Sequence, residues 1–373
     1  MPNNRIYYAI QQVVMGKRTA DDTVVHGLQS VGITTNFNLE QVFEMGQLNI
    51  YQNVEGVPDI EVTLNKVLDG YPLIYTLATE QGSDAGGVVA TSPTLPGRQN
   101  ARVDVSLSVF ADTGTSATGT ALQSVKCDGM YVSSISYTFP VDGNFTEDVT
   151  LVGNNKIWGA GLVATDAASA TSMANDTDVP EAQGGVGRRQ LLAMSSCKFP
   201  KQIPGINSST GANPAIGGGS GFGAHFQNIT VSCDLGREAI NELGTLVPYF
   251  RYVTFPVEVT AEFEVIGISG DMIQASESGY YEGLTGSVVA SSASAACIGR
   301  HNLLSEEIFI QTCEGTKIYL GDKNKLTSVS FSGGDTGGGN VSMTYSYSTY
   351  NDFVVAHSSM DFYANVTSSG YVA

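Results

Sequence analysis

Charge is scarce in this chain of 373 residues: Asp, Glu, Lys and Arg together make up 14 %. Basic residues are scarcer still, 18 Lys plus Arg against 36 Asp plus Glu, for a formal net charge of −18. A protein that grips nucleic acid needs a basic surface to displace counterions from phosphate, and one that docks on an anionic membrane needs the same. The composition argues against both. No apolar run approaches the roughly 18 residues of a bilayer-spanning helix. Met1 to Ala20 shows no apolar stretch after its basic residue, so no secretory signal is read there. There is one Trp and there are 5 cysteines: Cys127, Cys197, Cys233, Cys297 and Cys313. An odd number at wide spacing predicts reduced, mostly buried thiols and no disulfide framework. No two stand at metal-ligand spacing, and His26, His225, His301 and His357 are isolated, so no structural metal site is expected.

What the chain has is 42 % hydrophobic residues, 17 Tyr, 15 Phe, 43 Gly and many Val, Ile and Thr. Disordered chains are poor in aromatic and β-branched residues, so this mixture reads as an all-β protein with many turns. Length alone favours two domains.

The sequence also repeats itself. Arg5–Ala9 with Lys17 recurs as Arg189–Ala193 with Lys201. Glu40–Leu48 recurs as Glu238–Leu246, keeping Glu, Glu, Gly and Leu. Pro58 and Glu61-Val62-Thr63 match Pro256 and Glu258-Val259-Thr260, and Ser134–Tyr137 matches Ser328–Phe331. The order is kept and the offsets drift only by loop-sized amounts. This predicts a duplicated domain: 1–160, a linker 161–185 rich in Ala, Ser, Thr, Gly and Asp, and 186–373. Cut at 160, the two parts carry net charges of −8 and −10, so acidity runs through both copies.

Strands are expected at Val54–Leu68, Val103–Phe110, Tyr131–Phe139 and Thr146–Val152, the last two joined at Asp142-Gly143. The second copy offers Lys325–Phe331 and Asn340–Ser348. Leu39, Val42, Phe43 and Met45 or Leu48 fall at helical spacing behind Asn38 as N-cap, with Gly46 as the stop. Asp234, Ala239, Ile240, Leu243 and Gly244 repeat that signal. The expected architecture is therefore mainly β: two tandem barrels or sandwiches, each with one short flanking helix.

No catalytic constellation rises above background. Glu238 and Glu242 read as a solvated helix face, and Gly217–Gly223 lacks the Gly-Lys-Ser/Thr of a phosphate loop. There is no Gly-x-Ser-x-Gly elbow, and Asn175–Asp178 lacks the Gly and distal Glu of a calcium loop. Neither an enzymatic activity nor a cofactor is expected.

Gly236-Arg237-Glu238, Glu242-Leu243-Gly244, Pro248-Tyr249 and Pro256–Thr260 resemble a pattern in tail tube proteins of tailed bacteriophages. Glu44-Met45-Gly46, Val57-Pro58 and Glu61–Thr63 are a weaker version of it, and the Ser134–Val152 hairpin is similar to a late hairpin of the same group. The resemblance implies a barrel-like domain with one helix, six to a ring, with rings stacked into a conduit for the genome. The partners implied are copies of itself, other phage tail proteins, and passing DNA without specific binding, in the tail of a virion assembled in the host cytoplasm. Most such proteins have one domain; with two, three chains would make a pseudo-six-fold ring, and a hexamer with the second domain outside is the alternative. An acidic bore would repel phosphate, and the acids expected to line it are Asp59, Glu61, Glu147 and Asp148. The competing reading is another phage structural β-protein: a baseplate hub, tail terminator or capsid decoration protein. An adhesin or carbohydrate-active β-sandwich is a third, against which the lone Trp and absent secretion signal weigh.

Overall fold

A computed structural model describes residues 6–16, 23–79, 92–112, 117, 121–159, 186–207, 210–213, 223–245, 248–267, 305–333, 339–358 and 363–371. The expected linker 161–185, the glycine-rich stretch 217–222, Asn175–Asp178 and Cys297 lie outside them.

The chain is mainly β. Its first half contains β1 (Gln11–Gly16), β2 (Thr23–Val24), β3 (Leu28–Asn36), β4 (Leu39–Phe43), β5 (Ile50–Glu55) and β6 (Asp59–Val67). Helices α1 (Ile74–Thr79) and α2 (Leu95–Arg98) precede β7 (Val103–Val109), β8 (Gln123–Pro140), β9 (Thr146–Gly153) and β10 (Asn155–Gly159). The second half contains β11 (Phe226–Asp234), β12 (Arg237–Ile240), β13 (Phe250–Val253), β14 (Glu258–Ile266), β15 (Phe309–Gln311) and β16 (Thr316–Tyr319). It ends with β17 (Lys325–Ser332), β18 (Ser342–Tyr350), β19 (Val354–His357), β20 (Val366–Thr367) and β21 (Gly370–Tyr371).

Two compact units form, and they do not follow a single cut in the chain. Unit 1 takes residues 1–136, 146–186 and 234–257; unit 2 takes 137–145, 187–233 and 258–373. Each unit thus holds a segment from the other half, which a division at 160 and 186 does not anticipate.

Within unit 1, β3, β6 and β9 form an antiparallel run, with Gly32 opposite Thr63 and Thr63 opposite Thr150. Alternation along β6 buries Ile60, Val62 and Leu64, each no more than 2 % exposed, and leaves Asp59, Glu61 and Thr63 outside. Strands β2, β1, β7 and the first part of β8 pair in that order, with β10 also on β8.

Within unit 2, β11, β14, β18 and β17 pair antiparallel in sequence. Inside lie Val259, Ala261, Phe263 and Val265, and Phe263 meets Phe199, Phe226 and Tyr347. Burying a side chain such as Phe263 is worth about 1.5–3 kcal/mol. Separate small sheets, β15–β16–β19 and β20–β21, complete the unit.

The runs β3–β6–β9 and β11–β14–β18 share one register. Adding 198 to residues of β3, 199 to β6 and 196 to β9 turns one set of partners into the other: Gly32 opposite Thr63 becomes Thr230 opposite Glu262, and Ile60 opposite Gly153 becomes Val259 opposite Thr349. Even the irregularity coincides, between Leu28 and Ser30 in β3 and between Phe226 and Asn228 in β11. This register places Glu258 with Asp59, two residues away from the match read in the sequence.

The helices expected after Asn38 and Asp234 are not helices. Both segments are hairpin arms: β4 pairs β5, and β12 pairs β13. Asn38 and Gly236 take φ of +45° and +51° at the roots, and Gly46 and Gly244 take +103° and +93° at the tips. Asn and Gly supply positive φ at hairpin ends as readily as at helix ends, so the punctuation was ambiguous. The β-branched and aromatic content of Val42, Phe43, Ile50, Tyr51 and Val54 favours the strand.

Helix α1 lies instead in unit 1, fully buried, and the carboxylate of Glu147 accepts from the N–H of Ile74 at 2.7 Å and of Tyr75 at 3.0 Å. Opposite Glu147 in the register stands Lys66, also buried, which donates to Asp69 and to the His26 carbonyl. Unit 2 has Met343 and Val265 at the corresponding positions.

Candidate assembly surfaces

The outer face of each four-stranded or three-stranded run is covered by hydroxyls, amides and carboxylates. On unit 1 it presents Asp59 and Glu61 from β6 and Asp148 from β9, among Thr34, Thr63 and Thr150. On unit 2 it presents Glu258, Glu262 and Glu264 from β14, among Thr230, Ser232, Ser346 and Ser348. The seven strands β3, β6, β9, β11, β14, β17 and β18 contain two basic residues, and one of them, Lys66, is buried inside. The other, Lys325, stands opposite Ser348 at the start of β17.

The polar groups on these faces bind one another. Asn65 donates to Asp148 at 2.6 Å, Ser346 to Glu262 at 3.3 Å, and the hydroxyls of Ser232 and Thr260 lie 2.7 Å apart. Asp59 is the most heavily engaged: Asn38 donates to it at 2.8 Å, Arg251 at 2.7 Å and Asn154 at 3.2 Å. Partial desolvation pushes its carboxyl upward, but these donors and the Arg251 charge outweigh that and hold it below the usual carboxylate range.

Of the four acids expected to line a bore, Asp59 and Glu61 lie on the outer face of unit 1 and share it with Asp148. Glu147 does not. Successive residues on a strand face opposite sides, so Glu147 and Asp148 cannot both point outward. Glu147 shares the inward side with Val149 and Leu151 and is spent on the start of α1. Sequence reasoning passed over Glu262 and Glu264. Their signal was present: in Glu258–Ile266 acids and hydroxyls alternate with Val259, Ala261, Phe263 and Val265.

Two buried thiols are held protonated. Burial pushes Cys127 up to about 11 and Cys197 up to about 12, far from thiolate at neutral pH. Cys127, Cys197 and Cys233 are buried among the described residues and Cys313 is exposed, in keeping with mostly buried thiols. Among the described residues no group of three His, Cys, Asp or Glu side chains is placed to hold a metal ion, and no helix is long and apolar enough to cross a membrane.

The second surface is the pair of arms. β12–β13 is held within unit 1: Arg237 donates to the Val132 carbonyl at 2.7 Å and lies 5.2 Å from the Tyr131 ring centre, and Phe250 meets that ring edge-on at 5.4 Å. Arg251 adds bonds to Asn154 at 3.0 and 3.1 Å beside its pair with Asp59. β4–β5 is exposed along both strands, with Phe43 60 %, Met45 101 % and Leu48 100 % exposed.

No family model and no curated protein matches the sequence. Among solved structures the chain is similar to the tube terminating cap of the anti-feeding prophage, at 14 % identity, over 43 % of this chain and 94 % of that one, with a TM-score of 0.30. It is similar to a chain of the extended sheath–tube complex of PVC, an extracellular contractile injection system, at 15 % identity, 43 % and 94 % coverage and a TM-score of 0.30. It is also similar to the extended sheath/tube terminator of that system, at 17 % identity, 43 % and 100 % coverage and a TM-score of 0.31. At such TM-scores these similarities carry no argument about what the chain does.

Proposed function

We propose that this chain is a structural subunit of a phage tail tube. In this reading each chain is an internal duplication that supplies two like-shaped wall segments to a ring, and three chains close a pseudo-six-fold ring that stacks on others. It is neither an enzyme nor a cofactor carrier, and it works in the tail of the virion after assembly in the host cytoplasm.

The observation that carries the reading is the outer sheet face, acidic and nearly free of cations, presented in one register by both units. Asp59, Glu61 and Asp148 on one unit and Glu258, Glu262 and Glu264 on the other repel phosphate over a screening length of about 8–10 Å. Serine and threonine hydroxyls between them keep the wall wetted. The one cation paired with these six acids in the described residues, Arg251, is engaged by Asp59 and Asn154, which leaves few groups to form charge-assisted bonds that would stall a passing duplex. The common register of β3–β6–β9 and β11–β14–β18 supports the duplication.

Negative-stain microscopy of the purified protein, with mass measurement of the smallest assembly, tests this. The expected particle is a ring of three chains with six lobes, stacking into tubes of regular axial repeat. Six chains per ring would defeat the fused-neighbour arrangement. Single rings that never stack would point to a hub or terminator instead of a tube.

A further inference from the structure

The two arms correspond residue by residue at an offset of 198. Leu39 pairs with Glu55 as Arg237 pairs with Val253, and roots and tips carry positive φ at matching positions. Their surroundings differ. At the root of the second arm, Leu235 is 1 % exposed and its N–H donates to the Ser133 carbonyl of β8 at 2.8 Å, next to the Arg237 bond to Val132. At the root of the first arm, the corresponding Phe37 and Leu39 are 63 % and 64 % exposed. Apolar side chains therefore stand in water at the very positions that are covered in the second arm.

The seat has a counterpart too. The sequence match of Ser134–Tyr137 with Ser328–Phe331 sets Thr327 against Ser133. Thr327 lies on β17, which pairs only with β18 among the described strands, so its other edge is open. Strand β3, which leads into the first arm, pairs among the described strands only with β6 and is likewise open there. An open edge is a template for another strand.

We infer that the β4–β5 arm of one chain seats on the β17 edge of a second copy of the same chain, with Phe37 and Leu39 taking the places that Leu235 and Arg237 hold within unit 1. The occupant is a second copy because the one seat of this design seen in the molecule is built from the chain itself. The contact is heterologous, arm to edge, so it propagates from chain to chain and closes only if the rotation allows. This rests on reading the chain as a ring-forming subunit. The chemistry of the two seats is not the same. Where the second arm places Arg251 against Asp59, the first places Asn53 against Glu258 and Tyr350, so the contact between copies is apolar and changes little with salt.

A cysteine pair tests it. One chain carries Phe37→Cys and the other Thr327→Cys, both with Cys297→Ser and Cys313→Ser, and the mixture is oxidised. Residues joined across strands by a main-chain hydrogen bond stand within the roughly 4.4–6.8 Å Cα separation a disulfide needs. Covalent dimers are expected from the mixture and from neither variant alone. Rings visible in the same sample without such dimers would overturn the arm contact and leave the ring standing. Dimers from the Phe37→Cys chain alone would mean that arms pair with arms, and would overturn it as well. Absence of both rings and dimers would defeat the inference together with the function it rests on. A Phe37→Asp, Leu39→Asp chain, with its circular dichroism unchanged, should associate about tenfold or more weakly at both 0.1 and 0.5 M salt.

Discussion

The two matching sheets solve one problem with opposite chemistry. At the position where β6 faces β9, unit 1 buries Lys66 and Glu147; where β14 faces β18, unit 2 buries Val265 and Met343. The backbone register is identical, so the difference lies in what each sheet must also hold. Unit 1 packs α1 against its inner face and needs a carboxylate for the helix N–H groups, while unit 2 shows no α-helix among its described residues and needs only volume. A buried ion is cheap when it has a second task and costly when it does not.

The sharpest break in that comparison is Lys66→Val, which installs the unit 2 residue in unit 1. It leaves Asp69 buried without its cation and should lower unfolding free energy by about 3–5 kcal/mol, read as a urea midpoint shift at constant m. The reciprocal Met343→Glu should cost a similar amount, having no helix start to receive it. If either proved neutral, the two interiors would be interchangeable and the account above would be wrong. Glu147→Gln keeps the shape but surrenders charge and one acceptor, for a smaller loss of about 1–3 kcal/mol by the same measurement.

The arms give a milder contrast. Arg251→Ala should loosen β12–β13 by roughly 1 kcal/mol, since Asp59 is partly solvated, seen as faster amide exchange across Arg237–Val253 while β4–β5 is unchanged. The Asp59 carboxyl is depressed in the folded chain, so its contribution is present above the ordinary Asp value of about 3.9 and disappears as pH falls through the lower folded value. Protection of the second arm, taken relative to the intrinsic exchange rate at each pH, should therefore fall at acid pH in the parent, and Arg251→Ala should flatten that fall.

How much of this could be read beforehand follows from the length of each signal. β7, β9 and β18 alternate over seven to nine residues, and their positions were legible to within two residues, whereas the single strand expected at Val54–Leu68 is the end of β5, a break at 56–58 and then β6. The arms were not, because β4 and β12 span five and four residues, too short to separate a period of 2 from one of 3.6, and their glycines punctuate either element. Asp59, Glu61 and Asp148 were legible as strand acids. The inward turn of Glu147 follows from parity with Val149 and Leu151, but its partner α1 lies some seventy residues earlier, beyond any local pattern. The exchange of 137–145 and 234–257 between units is a tertiary choice with no local signature.

That exchange also sets a timetable for synthesis. Unit 1 lacks its last piece until residue 257 has left the ribosome, and unit 2 draws on residues beyond 257. Neither can close early, and a messenger truncated before residue 257 would yield not one sound module but none.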